Sequence, residues 1–215
     1  MDQGQLEARG HAWVREERDS HWKRGVDVLL ASAGLLVTAP LVAAVAAAVW
    51  IDLRKPVIFR QKRVGRYGEP FYVYKIRTMR HDGDEEGIGP TTRVVGGMVA
   101  KIPDDPRCTR LGRFLRKYSI DELPQLLNVL RGEMSLVGPR PLVWGEADFA
   151  DPRHQRRLEV LPGLTCLWQI SGRNKVDMDV RLRLDMEYLE RRSFLLDLWI
   201  LLRTIPAVIR ADGAI

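Results

Sequence analysis

Polar and apolar positions change rhythm several times along this chain. Residues 1–22 are polar and charged, the pattern of a surface helix or a loose arm. Val28 to Ile51 then forms one uncharged run, VLLASAGLLVTAPLVAAVAAAVWI, with Pro40 near its middle. As a straight helix its 24 residues reach about 36 Å, against roughly 30 Å of bilayer hydrocarbon. The length permits a crossing; the flanks argue against one. Lys23 and Arg24 precede the run, and Arg54 and Lys55 follow it, whereas a spanning helix keeps Lys and Arg on its cytoplasmic side. Pro40 lacks an N–H and clashes with the preceding turn. A helix that enters one leaflet, bends at Pro40 and returns puts both basic flanks on one face. An ordinary spanning helix still fits the length, since membrane helices tolerate proline. The run is longer than a signal-peptide core and unusual for the interior of a soluble protein. Trp22 and Trp50 bracket it, as interface aromatics do.

Downstream, alternation from Pro56 to Met79 predicts two short strands around the turn Gly65-Arg66-Tyr67-Gly68. His81 to Pro106 carries glycines, prolines and the acidic cluster Asp82, Asp84, Glu85, Glu86, and reads as a mobile surface loop. Arg107 to Tyr118 predicts a helix, and a second lies near Asp121–Leu130, ended by Gly132. Ser135 to Leu142 is a Gly/Pro-rich loop, and Pro162-Gly163 a turn before the apolar stretch Leu164–Ile170, read as a strand. Asp179–Arg192 predicts a helix with Asp179–Arg183 and Glu187–Arg191 pairs. Phe194–Ile209 is apolar but interrupted by Asp197, Arg203 and Pro206, an amphipathic segment for the core or the membrane interface. The fold class is a helix-rich α+β protein: an arm (1–22), a membrane helix (23–52) broken at Pro40, and one domain (53–215).

The 215 residues carry a net charge of +6. A basic surface beside a membrane suits anionic headgroups, phosphorylated substrates or nucleic acid. Two cysteines give neither a disulfide framework nor a metal cluster, and the four histidines show no ligand spacing.

The densest chemistry is RCTRLGRFLRKYSIDELPQLLNVLRGEMSLVGPRPL, from Arg107 to Leu142. Arg107, Arg110, Arg113 and Arg116 recur every three residues, with Lys117, as a winding cationic stripe on a helix. Ser119-Ile120-Asp121-Glu122 follows and reads two ways. One is a capping box, with Pro124 in the first helical turn. The other is an anion site, a helix N-terminus among arginines. There an ionised carboxylate beside a bound diphosphate is a nucleophile toward phosphorus, arginines offset the charge, and the neighbouring carboxylate carries a divalent cation. Lys75 and Arg77 alternate on one strand face, as phosphate contacts or as solvated charges. Gly138-Pro139-Arg140-Pro141 displays one arginine on a rigid loop or is a plain turn. Ser171-Gly172-Arg173-Asn174 carries the same ambiguity, and Trp168 reads as core.

These blocks also resemble a known family. Lys23-Arg24…Asp27, PVIFRQKRVGRYGEPFYVYKIRTM, DDPRCTRLGRFLRKYSIDELPQLLNVLRGEMSLVGPRPL and LPGLTCLWQISGRN occur in the order found in bacterial sugar transferases. These are monotopic polyprenyl-phosphate phosphoglycosyl transferases. The resemblance implies a re-entrant helix and a catalytic domain on the cytoplasmic face of the bacterial inner membrane. It implies transfer of a sugar-1-phosphate from a nucleotide diphosphate sugar, usually a UDP-sugar, to polyprenol phosphate, with UMP released. This would be the first membrane step of glycoconjugate synthesis, such as exopolysaccharide. Asp121 matches the nucleophile that forms a phosphosugar-aspartate, and Glu122 the partner carboxylate associated with Mg2+. Pro139, Arg140 and Pro141 match the element linked to nucleotide recognition. Substrate contacts are expected from Lys75, Arg77, Arg110, Arg113, Arg116, Arg140 and Arg173. The partners implied are the donor, the acceptor and membrane lipid, not nucleic acid, and the apolar C-terminal stretch suits membrane or a homodimer. Relatives often carry Ser-Pro at the helix break; here it is Ala39-Pro40, which leaves Thr38 to supply a backbone-bonding hydroxyl. A competing reading, a basic membrane module without turnover, gives no reason for an Asp-Glu pair amid the arginines.

Overall fold

A computed structural model describes residues 21–80, 93–95, 98–100, 105–143, 151–172 and 177–211. The N-terminal arm to residue 20, most of the acidic loop and Arg173 lie outside the described residues.

The apolar run forms helix α1, His21–Leu53, which continues without interruption through Pro40. It is the one helix, among the described residues, long and apolar enough to cross a membrane. Thr38 Oγ1 donates to the Gly34 carbonyl at 2.7 Å, a bond one turn back within the unbroken helix. Asp27, Ala31, Leu35, Val42, Val45, Val49 and Leu53 form one inward stripe of α1, at the three-to-four spacing of a helix face. Leu29, Leu36, Val37, Trp50 and Ile51 are exposed on the rest of its surface.

The predicted hairpin is present. Strands β1 (Ile58–Val64) and β2 (Pro70–Ile76) pair antiparallel from Ile58↔Ile76 to Val64↔Pro70, across a one-turn 3-10 segment at Arg66–Gly68. Strands β3 (Arg93–Val95) and β4 (Met98–Ala100) form a separate antiparallel pair. Helix α2, Arg110–Lys117, starts three residues later than its sequence suggested. Thr109 caps it, accepting from Gly112 N at 2.9 Å.

The second predicted helix is two pieces, a 3-10 turn Ile120–Gln125 and α3, Leu126–Arg131. Gly132, at φ 80°, ends it as predicted. The capping box does not form: Ser119 is left-handed at φ 54° and its side chain makes no cap bond.

Strand β5 (Ser135–Val137) pairs parallel with β7 (Gly163–Thr165), while β6 (Leu142–Val143) joins β1. The β5–β7 approach requires glycine, because a Cβ on Gly163 would lie 2.2 Å from Gly138 N. The stretch read as one strand, Leu164–Ile170, splits between β7 and a helical turn α5 (Leu167–Ile170), preceded in sequence by α4, Pro152–Arg157. Helix α6 spans Met178–Arg191 and α7 Phe194–Arg210. The Glu187–Arg191 pair forms at 2.6 Å, but Asp179 turns to Arg153 at 3.3 Å.

Two apolar clusters hold these pieces together. Ala31 of α1 packs with Phe71, Val73, Leu126, Val129, Met134, Leu136, Tyr188 and Ile200. Val49 of α1 packs with Ile76 and Leu115. One domain therefore contacts both halves of the long helix.

Polar links fix the N-terminal end. Lys23 Nζ pairs with Asp197 at 2.5 Å and donates to the Val137 carbonyl. Tyr188 donates to Asp197 at 2.9 Å. Arg24 donates to the Val129 and Leu130 carbonyls at the end of α3, and Leu136 N to Asp27 at 3.0 Å. Cations at a helix C-terminus suit its dipole.

Candidate active site

Strand β2 lies at the edge of its sheet, so its outer backbone groups need partners. Asn128, fully buried, supplies them: Tyr74 N donates to its Oδ1 at 3.2 Å, and its Nδ2 donates to the Tyr72 carbonyl at 2.7 Å. One amide thus pairs with the strand as a neighbouring strand would. It docks α3, and the 3-10 turn before it, against β2. Lys75, the next residue of β2, consequently meets Glu122 at 3.2 Å.

Glu122 also receives Arg140 from the loop between β5 and β6. Arg140 Nη2 lies 2.5 Å from Oε1 and Nη1 3.3 Å from Oε2. Asp121, 7% exposed, sits beside it in the first turn of the 3-10 segment. Burial lowers the Lys75 pKa, and Glu122 partly opposes this. Burial would also lower Arg140, but Glu122 outweighs it and holds the guanidinium firmly charged. The centre is a carboxylate pair with two cations on one of its members. Its electrostatics suit a phosphate ester, since the cations can turn to phosphate oxygens.

The arginine stripe divides. Arg116 turns inward, its Nε donating to Thr78 Oγ1 at 2.8 Å. Arg107 pairs with Asp105 at 2.5 Å. Arg110 and Arg113 stay exposed, with Arg113 donating to the Cys108 carbonyl at 3.1 Å. Burial pushes the Cys108 thiol up; the charges of Arg116 and Arg113 pull it down, and those of Asp105 and Asp121 push it up. Arg77 departs from Lys75: it donates to the Pro56 carbonyl at 2.6 Å and stacks on Phe59. Strand β2 has ended at Ile76, so the alternation that put both cations on one face no longer applies. Pro139 and Pro141 flank Arg140 and line a small cleft with Gly65, Arg157 and Pro162. Trp168 is buried, with Arg181 over its ring at 4.6 Å.

No group of three or more His, Cys, Asp or Glu among the described residues forms a metal cage. Asp121 and Glu122 offer the one or two carboxylates that magnesium takes when substrate phosphates complete its shell. A cation brought by a diphosphate could share Glu122 with Lys75 and Arg140.

Sequence reasoning did not single out Asn128, Arg63 or Arg157. The last two hold the Arg140 loop by its backbone: Arg63 Nη1 donates to the Pro141 carbonyl at 3.0 Å and Arg157 Nη2 to the Arg140 carbonyl at 2.7 Å. The one available signal was the proline pair, which leaves the loop short of its own donors.

A family model described as "Bacterial sugar transferase" matches residues 18–211. The chain is 43% identical over 197 residues to the exopolysaccharide production protein ExoY of Rhizobium meliloti, covering 89% of this chain and 87% of that one. It is 41% identical over 200 residues to the undecaprenyl-phosphate galactose phosphotransferase of Salmonella typhimurium, covering 89% of this chain and 41% of that longer protein. Identity is 40% over 200 residues to the UDP-glucose:undecaprenyl-phosphate glucose-1-phosphate transferase of Caulobacter vibrioides, covering 89% and 71%.

Proposed function

From this chain's membership of the bacterial sugar transferase family and the geometry of its carboxylate pair, we propose that it moves a sugar-1-phosphate from a UDP-sugar to undecaprenyl phosphate. The observation that carries the reading is Glu122, next to Asp121 in the chain, set between Lys75 and Arg140 in a domain that packs along an apolar helix.

Asp121 attacks the phosphorus that bears the sugar. The bond from that phosphorus to the UMP oxygen breaks, and UMP leaves with the electron pair. The phosphosugar is then an acyl phosphate on Asp121. An oxygen of the lipid phosphate attacks the same phosphorus, the aspartyl oxygen leaves, and the carboxylate is restored. Lys75 and Arg140 orient Glu122 and neutralise charge on the diphosphate. The Pro139–Pro141 loop carries the nucleotide end. Glu122 would hold Mg2+, which would draw charge from the phosphate oxygens and leave Asp121 free to attack. Arg110, Arg113 and Arg116 supply further cationic field on the approach.

The substrate chemistry demands a site where lipid and water meet. Were its 33 residues a straight rod, α1 would be about 50 Å long, yet one domain holds both its halves. That supports a helix which enters and leaves the cytoplasmic face of the inner membrane, bending at Pro40. The exposed Leu195, Trp199, Leu202, Ile205 and Ile209 of α7 lie in the lipid interface beside it.

The test measures UMP release from a panel of UDP-sugars with magnesium and undecaprenyl phosphate, in the parent and Asp121→Ala. Sugar-dependent UMP, lost in the variant, is the expected result. Release that survives in Asp121→Ala removes it as nucleophile. UDP release instead of UMP removes the reaction. Cysteines introduced at Met1 and Ile215 should label from the same face of the membrane; labelling from opposite faces excludes re-entry.

A further inference from the structure

The loop that presents Arg140 is unusual in how it is held. Pro139 and Pro141 have no N–H, so this tripeptide has three carbonyls and a single amide hydrogen. Each carbonyl is taken by a different element. Gly163 N of β7 donates to Pro139 O at 2.8 Å, Arg157 of α4 to Arg140 O at 2.7 Å, and Arg63 of β1 to Pro141 O at 3.0 Å. Arg157 differs from the others in being charged and almost wholly enclosed. Its side chain is 4% exposed, and its Nη2 lies 2.9 Å from Asp185 Oδ2, whose side chain is 2% exposed. A guanidinium buried this deeply needs a carboxylate, and breaking such a pair is costly. Helices α4 and α6 therefore bring a matched ion pair to the back of the loop, and its cation ends on the backbone of the residue that grips Glu122.

We propose that Arg157, held by Asp185, is a positioning residue for the transfer reaction: it fixes the Arg140 backbone so that the guanidinium meets Glu122. Neither side chain reaches the carboxylate pair in the contacts described, so the pair acts through Arg140. A charged donor gives a stronger bond to that carbonyl than a neutral amide. One nitrogen, Nη2, gives its hydrogen bond to the carbonyl, and Asp185 stands beside it as the buried counter-ion. The proposal rests on the transferase reading for its activity assay, but not for its structural readout.

The experiment compares Arg157→Gln and Asp185→Asn with the parent, and repeats both substitutions in an Arg140→Ala background. UMP release gives kcat and the donor KM, and hydrogen exchange follows the Gly163 amide, which donates to Pro139 O at 2.8 Å. Each single variant should lower kcat at least tenfold. In the Arg140→Ala background the same changes should cost less than twofold, because residues acting through one side chain are not additive. The Gly163 amide should exchange at least tenfold faster, with the β1–β2 hairpin unaffected. Equal fold-losses in both backgrounds would show a general structural role and overturn the proposal, as would full activity with unchanged exchange. If Arg157→Gln does not fold, Arg157→Lys and Asp185→Asn carry the same cycle; the lysine keeps the charge and should lie between parent and Asp185→Asn. If the parent itself releases no UMP, the transferase reading fails, and amide exchange alone decides the positioning role.

Discussion

Arg140 grips Glu122 with both terminal nitrogens of its guanidinium, at 2.5 and 3.3 Å. A lysine at this position offers one point charge in place of a fork. Arg140→Lys therefore keeps the charge but loses one charge-assisted bond, worth about 1.5–3 kcal/mol. The expected result is a loss of about 10- to 100-fold in kcat/KM for the nucleotide sugar. Activity within twofold of the parent would show that charge alone suffices.

Asn128 closes the open edge of β2 with its side-chain amide. Asn128→Leu fills similar space but leaves the Tyr74 N–H and Tyr72 carbonyl without it. The expected destabilisation is about 1–3 kcal/mol for each group orphaned, read by chemical denaturation in detergent. Lys75 should separate from Glu122 too, so activity should fall further than the folded fraction does. Unchanged stability would mean that other donors reach the strand edge.

Asp197 accepts from both Lys23 and Tyr188, so one carboxylate ties the start of α1 to α6 and α7. Asp197→Ala strands a half-buried ammonium and should cost about 3–5 kcal/mol. Removing both charges, as in Lys23→Met with Asp197→Leu, should recover much of that. Equal thermal midpoints for the single and double variants would argue against the pairing.

Burial pushes the Asp185 carboxyl up from 3.8 to about 6, against the pull of Arg157 and Arg181. The unfolded chain has released this proton above about pH 4. Between pH 4 and 6 the folded protein thus holds a proton that the unfolded chain does not, and stability falls as pH rises through that window. The full effect is about 3 kcal/mol. Denaturation at pH 4 and pH 7 should show the parent losing that amount relative to Asp185→Asn. Parallel pH responses would place the Asp185 titration elsewhere. An ionised Asp185 at neutral pH weakens the fold while it holds Arg157, a trade expected of a functional group.

Local patterns in the sequence located the apolar helix, the β1–β2 hairpin, the glycine end of α3 and the amphipathic α7, because each depends on neighbours within a few residues. The Asp121-Glu122 pair and Arg140 were found through the dense cationic block and the family resemblance. What stayed hidden depends on distant partners. Arg116 looked like part of an exposed stripe until Thr78 drew it inward. Arg77 matched Lys75 in alternation, but its strand stops one residue earlier. Ser119 carried a capping-box spelling, yet its positive φ turns the chain before a cap can form. Arg63 and Arg157 serve carbonyls 78 and 17 residues away, a pairing without local periodicity.

The stripe of α1 from Asp27 to Leu53 is shared with the interior of the domain, and this sets a rule for engineering the protein. A membrane tether can be cut off or exchanged for another. Here truncation before Leu53 would uncover Leu126, Val129, Ile76 and Leu115 together and leave Asp197 without Lys23. A water-soluble version must therefore keep this helix and recolour only its outward residues, Leu29, Leu36, Val37, Trp50 and Ile51, with polar side chains.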